Sequence, residues 1–261
     1  MMLSKTSSGI LISLTSLIIL FIYLPLVILV TFSFTASRYP FFPIQSWSLR
    51  WYELLSKDSS FYESLTNSIF VSVGTSVSAT LIGFFGAYSL IRSEFRGKNL
   101  ISNLMIVPIS IPLVLLAISL RVYLSTMKIQ FNLFSICIGH LVYMIPLSII
   151  VLKGRFERFP WTLEEAAIDL GASRIRSIIE ISVPWMFPGI IGSVLLNFTF
   201  SFDEFIIAWF LTNFDVTLPI KIWTDLLMNY DPKVNAIGTI VLFFSLIIAF
   251  LAQLFLIRRL K

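Results

Sequence analysis

Six long apolar runs, separated by short polar segments, constrain this chain more than any other feature of its sequence. Each run reaches the roughly 20 residues that an α-helix needs to cross a bilayer core of about 30 Å. A transmembrane β-barrel would show short alternating segments instead. The sequence therefore predicts an all-α, polytopic membrane protein, with residues 1–261 forming a single transmembrane domain of six helices. The predicted spans are residues 9–34, 65–91, 100–124, 131–152, 187–211 and 236–257.

Composition excludes several classes of protein. Hydrophobic residues make up 57% of the chain and charged residues 13%, about half the roughly 25% that is usual in a soluble domain. A single cysteine, Cys137, excludes an intrachain disulfide, and a single histidine, His140, argues against a metal site of the His and Cys type. Walker A, His-Glu-x-x-His and Gly-x-Ser-x-Gly sequences are also missing. We therefore expect no catalytic residues and no metal site.

The distribution of Lys and Arg predicts the orientation in the membrane. Twelve lie in the segments that six spans would place on the side of the two termini, and seven lie in the other connections. Because cytoplasmic loops carry the excess of positive charge, both termini are predicted to be cytoplasmic. These cations lie mostly between apolar runs, so they are interpreted as topology signals, and no nucleic acid partner is expected. The twelve are Lys5, Arg92, Arg96, Lys98, Lys153, Arg155, Arg158, Arg174, Arg176, Arg258, Arg259 and Lys261.

The longest cytoplasmic connection, residues 153–186, carries helix signals of its own. Thr162 is expected to cap a first amphipathic helix, with Glu165 as its capping-box partner, and Gly171 suits a left-handed C-terminal cap. Ser173 is expected to cap a second helix that ends at Pro184. Such a helix pair could lie on the membrane surface or dock into a groove on a partner protein.

The order of residues in this connection resembles the EAA loop of ABC-importer permeases. Glu165-Ala166-Ala167 is followed after three residues by Gly171, after nine more by Ile181, and then by Val183-Pro184. Every spacing agrees with the loop pattern, and only Val183 departs from it, replacing a leucine. The resemblance implies a type I ABC-importer permease fold, in which this loop seats on a dimer of ATP-binding cassette subunits. It also implies that ATP and Mg²⁺ are bound by that partner, with no cofactor in this chain. The implied coupling residues are Glu165, Ala166, Ala167, Gly171, Ile181 and Pro184.

Further segments are similar to the PotC-like permeases of the polyamine (spermidine/putrescine) family. The resemblance implies half of a translocation pathway in a bacterial inner membrane, a second, PotB-like permease and a periplasmic solute-binding protein. The alternatives are the same architecture for an opine-like, amino-acid-like or other cationic solute, and, far behind, an intramembrane enzyme. The segments are Trp51-Tyr52, Phe95–Lys98, Leu163–Ser173, Asn197–Glu204, Leu218–Ile222 and Asn235-Ala236.

Two adjacent acids, Asp203 and Glu204, lie within the predicted fifth span. A carboxylate at the bilayer centre costs about 2.5–3.5 kcal/mol on insertion scales, so such residues usually have a function. Helical spacing places Asn197, Ser201 and Glu204 on one face, and Asp203 on a neighbouring strip. The similar family also carries acids at this pair of positions. We therefore expect these four residues, with the aromatic ring of Trp209, to line the pathway of a cationic solute.

A second interpretation of these acids stays open. One of them could cap a helix or pair within the bundle, for instance with Arg121 or with a lysine of a partner subunit. His140, on the fourth span, is expected to be a packed polar residue rather than a proton relay.

Overall fold

The computed structural model describes residues 5–39, 41–229 and 232–259, and these ranges are mostly helical. An isolated antiparallel bridge joins Thr35 to Trp47. The helices are α1 (Lys5–Ser33), α2 (Arg50–Leu55), α3 (Ser59–Arg92), α4 (Lys98–Ser110), α5 (Leu113–Thr126), α6 (Leu133–Phe156), α7 (Thr162–Asp169), α8 (Arg174–Ser177), α9 (Val183–Asp203), α10 (Ile206–Leu211), α11 (Leu218–Asn229) and α12 (Lys233–Arg259), with a π-helical turn over Ile178–Ser182 between α8 and α9.

Four helical stretches in the described part of the chain are long and apolar enough to cross a membrane. They overlap the predicted first, second, fourth and fifth spans, which confirms the all-α membrane class. The predicted sixth span lies on α12, of which the apolar stretch described in full, Lys233–Ile247, is too short to count as a span by itself, so the number of six spans stays a prediction. The four stretches are Leu11–Ser33, Ser59–Arg92, Leu133–Phe156 and Arg174–Asp203.

The predicted third span is not one straight helix. Its two halves, α4 and α5, meet at an angle of 102°. Ile111 between them is extended, with ψ 131°, because the ring of the following Pro112 disfavours a helical conformation. Pro112 then precedes the first turn of α5, where its missing N–H removes no hydrogen bond.

The fifth span begins earlier than predicted. Helical backbone runs without interruption from Arg174 to Asp203, so the expectation that Pro184 ends a separate loop helix is wrong. Pro184 is the second residue of α9, directly after the π-helical turn. The wider turn shifts the hydrogen-bond register ahead of the proline, which spares the helix the usual clash and lost bond.

The chain divides into two compact units. One contains the described residues up to Ser59 together with Ile222–Ile248. In this unit the Trp51 indole donates a hydrogen bond of 2.6 Å to the Thr35 carbonyl, and Lys233 pairs with Asp58 at 3.1 Å. The apolar side chains of α1 from Leu11 to Leu24 are exposed, as expected for a helix that faces lipid.

The other unit contains Ser60–Lys221 and the described residues that follow Ile248. Its centre is formed by α3, α6 and α9. Gly83 of α3 lies so close to Ser148 of α6 that a Cβ would approach the serine Cβ to 2.3 Å. At one end of these helices lies a cluster of buried and partly buried aromatic rings, which we call the aromatic cluster. Its rings are those of Phe84, Tyr88, Phe156, Phe159, Trp161 and Trp185.

Candidate functional site

The connection after α6 folds around one short helix and one glycine. α7 begins at Thr162, but Thr162 is not its cap: Trp161 precedes the helix and no side chain caps it. Gly171 has φ +93°, as its cap signal predicted. The N–H of Ala172 bonds to the Ala167 carbonyl at 3.0 Å, which closes the turn. The Ser173 hydroxyl then caps α8 through the Arg176 N–H at 3.3 Å, as predicted.

The proposed coupling residues lie along the surface of this segment. Glu165 is exposed and pairs with Arg92 of α3, with 3.1 Å between carboxylate and guanidinium. Ala166 and Pro184 are exposed, whereas Ala167 and Ile181 are half-buried. These residues therefore belong to one continuous stretch, α7 to the start of α9, that other molecules can reach.

Large apolar side chains lie on the exposed surface of α7 and of the neighbouring α8. Leu163, near the start of α7, and Leu170, at its C-terminal cap, are both exposed, Leu170 by 89%. Ile175, on the neighbouring α8, is 72% exposed. Apolar side chains this exposed on a polar connection indicate a surface that another molecule covers.

Glu164, an acid, is the buried residue of α7. Its side chain is only 2% exposed. It accepts a short hydrogen bond from the Ser182 hydroxyl and one of 3.1 Å from the Tyr88 hydroxyl. Sequence reasoning missed this residue because its partners come from α3 and from the π-helical turn. The one local signal was a second acid beside Glu165.

The fifth span breaks at the acidic pair. α9 ends at Asp203, Glu204 is extended with ψ 118°, and α10 begins at Ile206. A continuous helix over residues 187–211 is therefore wrong. The Glu204 carboxylate accepts hydrogen bonds from the backbone N–H groups of Ile207, at 2.9 and 3.0 Å, and Ala208, at 3.1 Å. This local bonding caps α10 and competes with the uninterrupted helix.

Glu204 also closes a polar network within the bundle. Its Oε2 lies 3.3 Å from Nε2 of His140, without the alignment of a hydrogen bond, and the other ring nitrogen is 2.8 Å from the Ser201 hydroxyl. One turn earlier, Asn197 donates to Ser148 at 2.6 Å and to Thr80 at 3.2 Å. Asn197 and Ser201 are buried.

For Glu204 the second interpretation thus fits, because the acid caps a helix and pairs within the bundle. Its partner is His140, not Arg121. The Arg121 guanidinium donates to the Phe210 carbonyl and lies 4.5 Å from the centre of the Phe131 ring.

Asp203 has the opposite environment. It is exposed, and across the described ranges no side chain bonds or pairs with it. Thr199 and Phe200, one turn earlier, are exposed as well. Across the break the Trp209 ring is 43% exposed and lies 5.6 Å from the Phe205 ring, centre to centre. The C-terminal end of α9 adds the negative pole of a helix dipole beside the carboxylate.

Comparisons with known proteins agree on one family. The family model of the binding-protein-dependent transport system inner membrane component matches residues 79–261. The spermidine/putrescine transport system permease protein PotC of Escherichia coli K12 is 32% identical over 236 residues, which cover 90% of this chain and 89% of that protein. The putrescine transport system permease protein PotI of the same strain is 28% identical over 249 residues, covering 92% and 88%.

Solved structures show the same fold at lower identity. A chain of a bacterial ABC transporter involved in the import of the acidic polysaccharide alginate matches with a TM-score of 0.74 at 18% identity, over 100% of both chains. The methionine ABC transporter MetNI matches with a TM-score of 0.58 at 13% identity, over 78% of this chain and 99% of that chain.

Proposed function

Because the chain belongs to the binding-protein-dependent transport system inner membrane components, we propose that it forms half of the pathway through which an ATP-driven importer carries a polyamine or a similar cationic solute. The chain is homologous to polyamine importer permeases and shares the fold of ABC-importer permeases. It is a transport subunit and not an enzyme. ATP and Mg²⁺ are held by a separate nucleotide-binding subunit.

The observation that carries the choice of solute is Asp203. It is an exposed carboxylate without a side-chain partner in the described ranges, at a break in a membrane-spanning helix. Discontinuous helices supply ion and solute sites in transporters, because their open ends present polar backbone groups at membrane depth. At this break the C-terminus of α9 and the carboxylate are both negative, so they attract a cation and repel an anion.

The aromatic residues beside Asp203 suit the rest of such a solute. Phe200 and Trp209 are exposed near the break. An ammonium group is attracted to the face of an aromatic ring, and methylene groups between amines pack against it. Asp203 would bind one ammonium group while the rings contact the chain. The alternative solutes, which are opine-like or amino-acid-like, carry a carboxylate that this end of α9 would repel.

The connection after α6 supports the proposed partners. Its exposed apolar residues Leu163, Leu170 and Ile175 form a surface suited to a groove on an ATP-binding cassette subunit. Glu165, Ala166, Ala167, Gly171, Ile181 and Pro184 are the proposed coupling residues. A second, PotB-like permease completes the pathway, and a periplasmic binding protein delivers the solute. One matched structure is a bacterial alginate ABC transporter in complex with an alginate-pentasaccharide-bound periplasmic protein; its chain matches with a TM-score of 0.71 at 16% identity, over 94% of this chain and 91% of that chain.

Neutralising Asp203 tests the proposed solute class. In the full transporter, Asp203→Asn should reduce uptake of labelled spermidine by about tenfold or more, because a charge-assisted hydrogen bond contributes about 1.5–3 kcal/mol. Co-purification of the ATPase subunit should not change, since within the described ranges the exposed Asp203 side chain neither bonds nor pairs with another side chain. Glu53→Gln, which neutralises an exposed acid on α2, is the matched control. Parent-like uptake by the Asp203→Asn transporter would contradict the proposal.

A further inference from the structure

Glu164 connects α7 to three other elements at the end of the bundle that carries the connection after α6. It lies on α7 and accepts hydrogen bonds from Tyr88, near the end of α3, and from Ser182, at the end of the π-helical turn that leads into α9. The Ser177 hydroxyl of α8 also donates to its backbone carbonyl at 3.5 Å. Both carboxylate oxygens are therefore engaged by elements that cross the membrane.

Arg92 is shared between Glu164 and its neighbour. Its Nε lies 4.0 Å from the Glu164 carboxylate, and its Nη1 lies 3.1 Å from the exposed Glu165 carboxylate. The guanidinium also stacks over the Trp161 ring at 5.3 Å. A partner that binds Glu165 would compete with Arg92 for its carboxylate, but it cannot reach Glu164, which is buried. The attachment of α7 to the bundle therefore persists when the outer surface of α7 is occupied.

A buried carboxylate is a strong attachment point. Separating it from its donors would leave a charge in a site that water does not reach, which is strongly unfavourable. When α7 is displaced, we therefore expect Ser182 and Tyr88 to move with it, because breaking their hydrogen bonds to Glu164 costs more. Ser182 directly precedes α9, a helix of 21 residues and so roughly 30 Å long. The other end of α9 is Asp203, at the helix break.

We infer that Glu164 is a positioning residue that ties the ATPase-docking helix α7 to α3 and α9, so that movement of α7 is passed along α9 to the break at Asp203. This inference rests on the proposed function, because it takes α7 as the surface that the ATPase moves. It assigns to Glu164 a role different from that of Glu165. Glu165 contacts the partner, whereas Glu164 transmits the motion within this chain.

The inference is tested with the complete transporter in proteoliposomes, by measuring spermidine taken up per ATP hydrolysed. Glu164→Gln keeps the size of the side chain and removes the charge. We expect it to assemble with the ATPase subunit and hydrolyse ATP, while the ratio of uptake to hydrolysis falls about tenfold. Glu164→Asp should restore part of the ratio. Glu180→Gln, on the same connection but exposed and paired with Arg176, should behave like the parent.

A distance measurement between α7 and α9 tests whether Glu164 holds the two helices together, and it needs no transported solute. Spin labels are placed on cysteines at the exposed positions Asp169 on α7 and Thr199 on α9, in a Cys137→Ala background. In the parent the distance distribution should stay narrow with and without ATP and vanadate, since the two helices move together. In Glu164→Gln it should broaden. An equally narrow distribution in both proteins, or a parent-like transport ratio in Glu164→Gln, would overturn the inference.

Failure of the Glu164 inference can be distinguished from failure of the proposed function. If Glu164→Gln fails to insert or assemble, Tyr88→Phe decides, because it removes one hydrogen bond and leaves the charge. A lowered ratio supports the inference, and a parent-like ratio refutes it. If the parent binds the ATPase subunit but does not take up spermidine, the proposed solute is wrong, while the distance measurement still tests Glu164. If the parent binds no ATPase subunit, both proposals fail.

Discussion

Three carboxylates in this chain show how the number of hydrogen bonds to an acid separates its possible roles. Glu164 is buried and engaged at both oxygens, so it holds elements together. Glu204 is engaged by the backbone of α10 and lies against His140, so it shapes the helix break. Asp203 is exposed and has no side-chain partner in the described ranges. Among the three, its charge is therefore the one left to act on a solute.

Gly171 is the residue whose backbone conformation shapes the proposed coupling loop. At φ +93° a β-branched side chain is strained, and the left-handed region costs non-glycine residues roughly 1–2 kcal/mol. We expect Gly171→Val to insert normally but to weaken binding of the ATPase subunit by about tenfold, the equivalent of about 1.4 kcal/mol. Gly171→Asn should be milder, because asparagine tolerates this conformation.

Quantitative co-purification of the ATPase subunit checks that Gly171→Val weakens binding more than Gly171→Asn does. The control is Gly154→Ala, since Gly154 is helical and a Cβ there would meet nothing within 4 Å. Full association of the ATPase with the Gly171→Val protein would show that the turn at Gly171 is not required for docking.

Two elements depart from regular helices at places where they carry function in our proposal. The connection after α6 exposes Leu170 and buries Glu164, the reverse of ordinary amphipathicity. The fifth span contains a π-helical turn near one end and a break at the other. π-Helical turns and helix breaks are both enriched at functional sites. α9 thus runs between two irregular segments, one bonded to Glu164 of α7 and one that directly follows Asp203.

The break itself should depend on Glu204 rather than on Asp203. Glu204→Ala leaves the N–H groups of Ile207 and Ala208 without their acceptor, and an unsatisfied buried donor costs about 1–3 kcal/mol. We expect a lower unfolding temperature for the purified protein in detergent. Asp203→Ala removes no such bond and should unfold like the parent. Equal unfolding temperatures for the two variants would contradict the assigned difference between these adjacent acids.

At the scale of the whole molecule, our proposal combines a docking surface on the connection after α6 with a cation-attracting helix break at Asp203. The proposal requires the connection after α6 and both termini to share one side of the membrane. Fold comparison alone does not identify the solute, since the matched structures include transporters of alginate and of methionine. The solute class rests on Asp203 and on the similarity to polyamine permeases.

Orientation can be measured by cysteine labelling in intact cells. In a Cys137→Ala background, Ser59→Cys should react with an impermeant maleimide, because the excess of Lys and Arg places that connection outside. Glu94→Cys, exposed in the connection after α3, should react only after the cells are opened. The reverse pattern would invert the topology and move the proposed docking surface to the wrong side.

The sequence by itself determined the features that depend on neighbouring residues. Long apolar runs specify membrane helices, because bilayer thickness sets a length that can be counted. The left-handed turn at Gly171 and the cap at Ser173 follow from local chemistry, since only a few residue types suit those positions. The spacing from Glu165 to Pro184 identified the family because it is a linear pattern.

Only the tertiary structure decided which acids are buried and bonded and which acid is exposed. Glu164 is buried because Tyr88 and Ser182, distant in sequence, supply its donors. Glu204 faces the bundle, where it contacts His140 of α6, whereas Asp203, one residue earlier, is exposed. Hydropathy and helical periodicity assign a residue to a face of a helix, but they do not say which face meets protein and which stays open. That choice depends on contacts between segments, which local patterns do not contain.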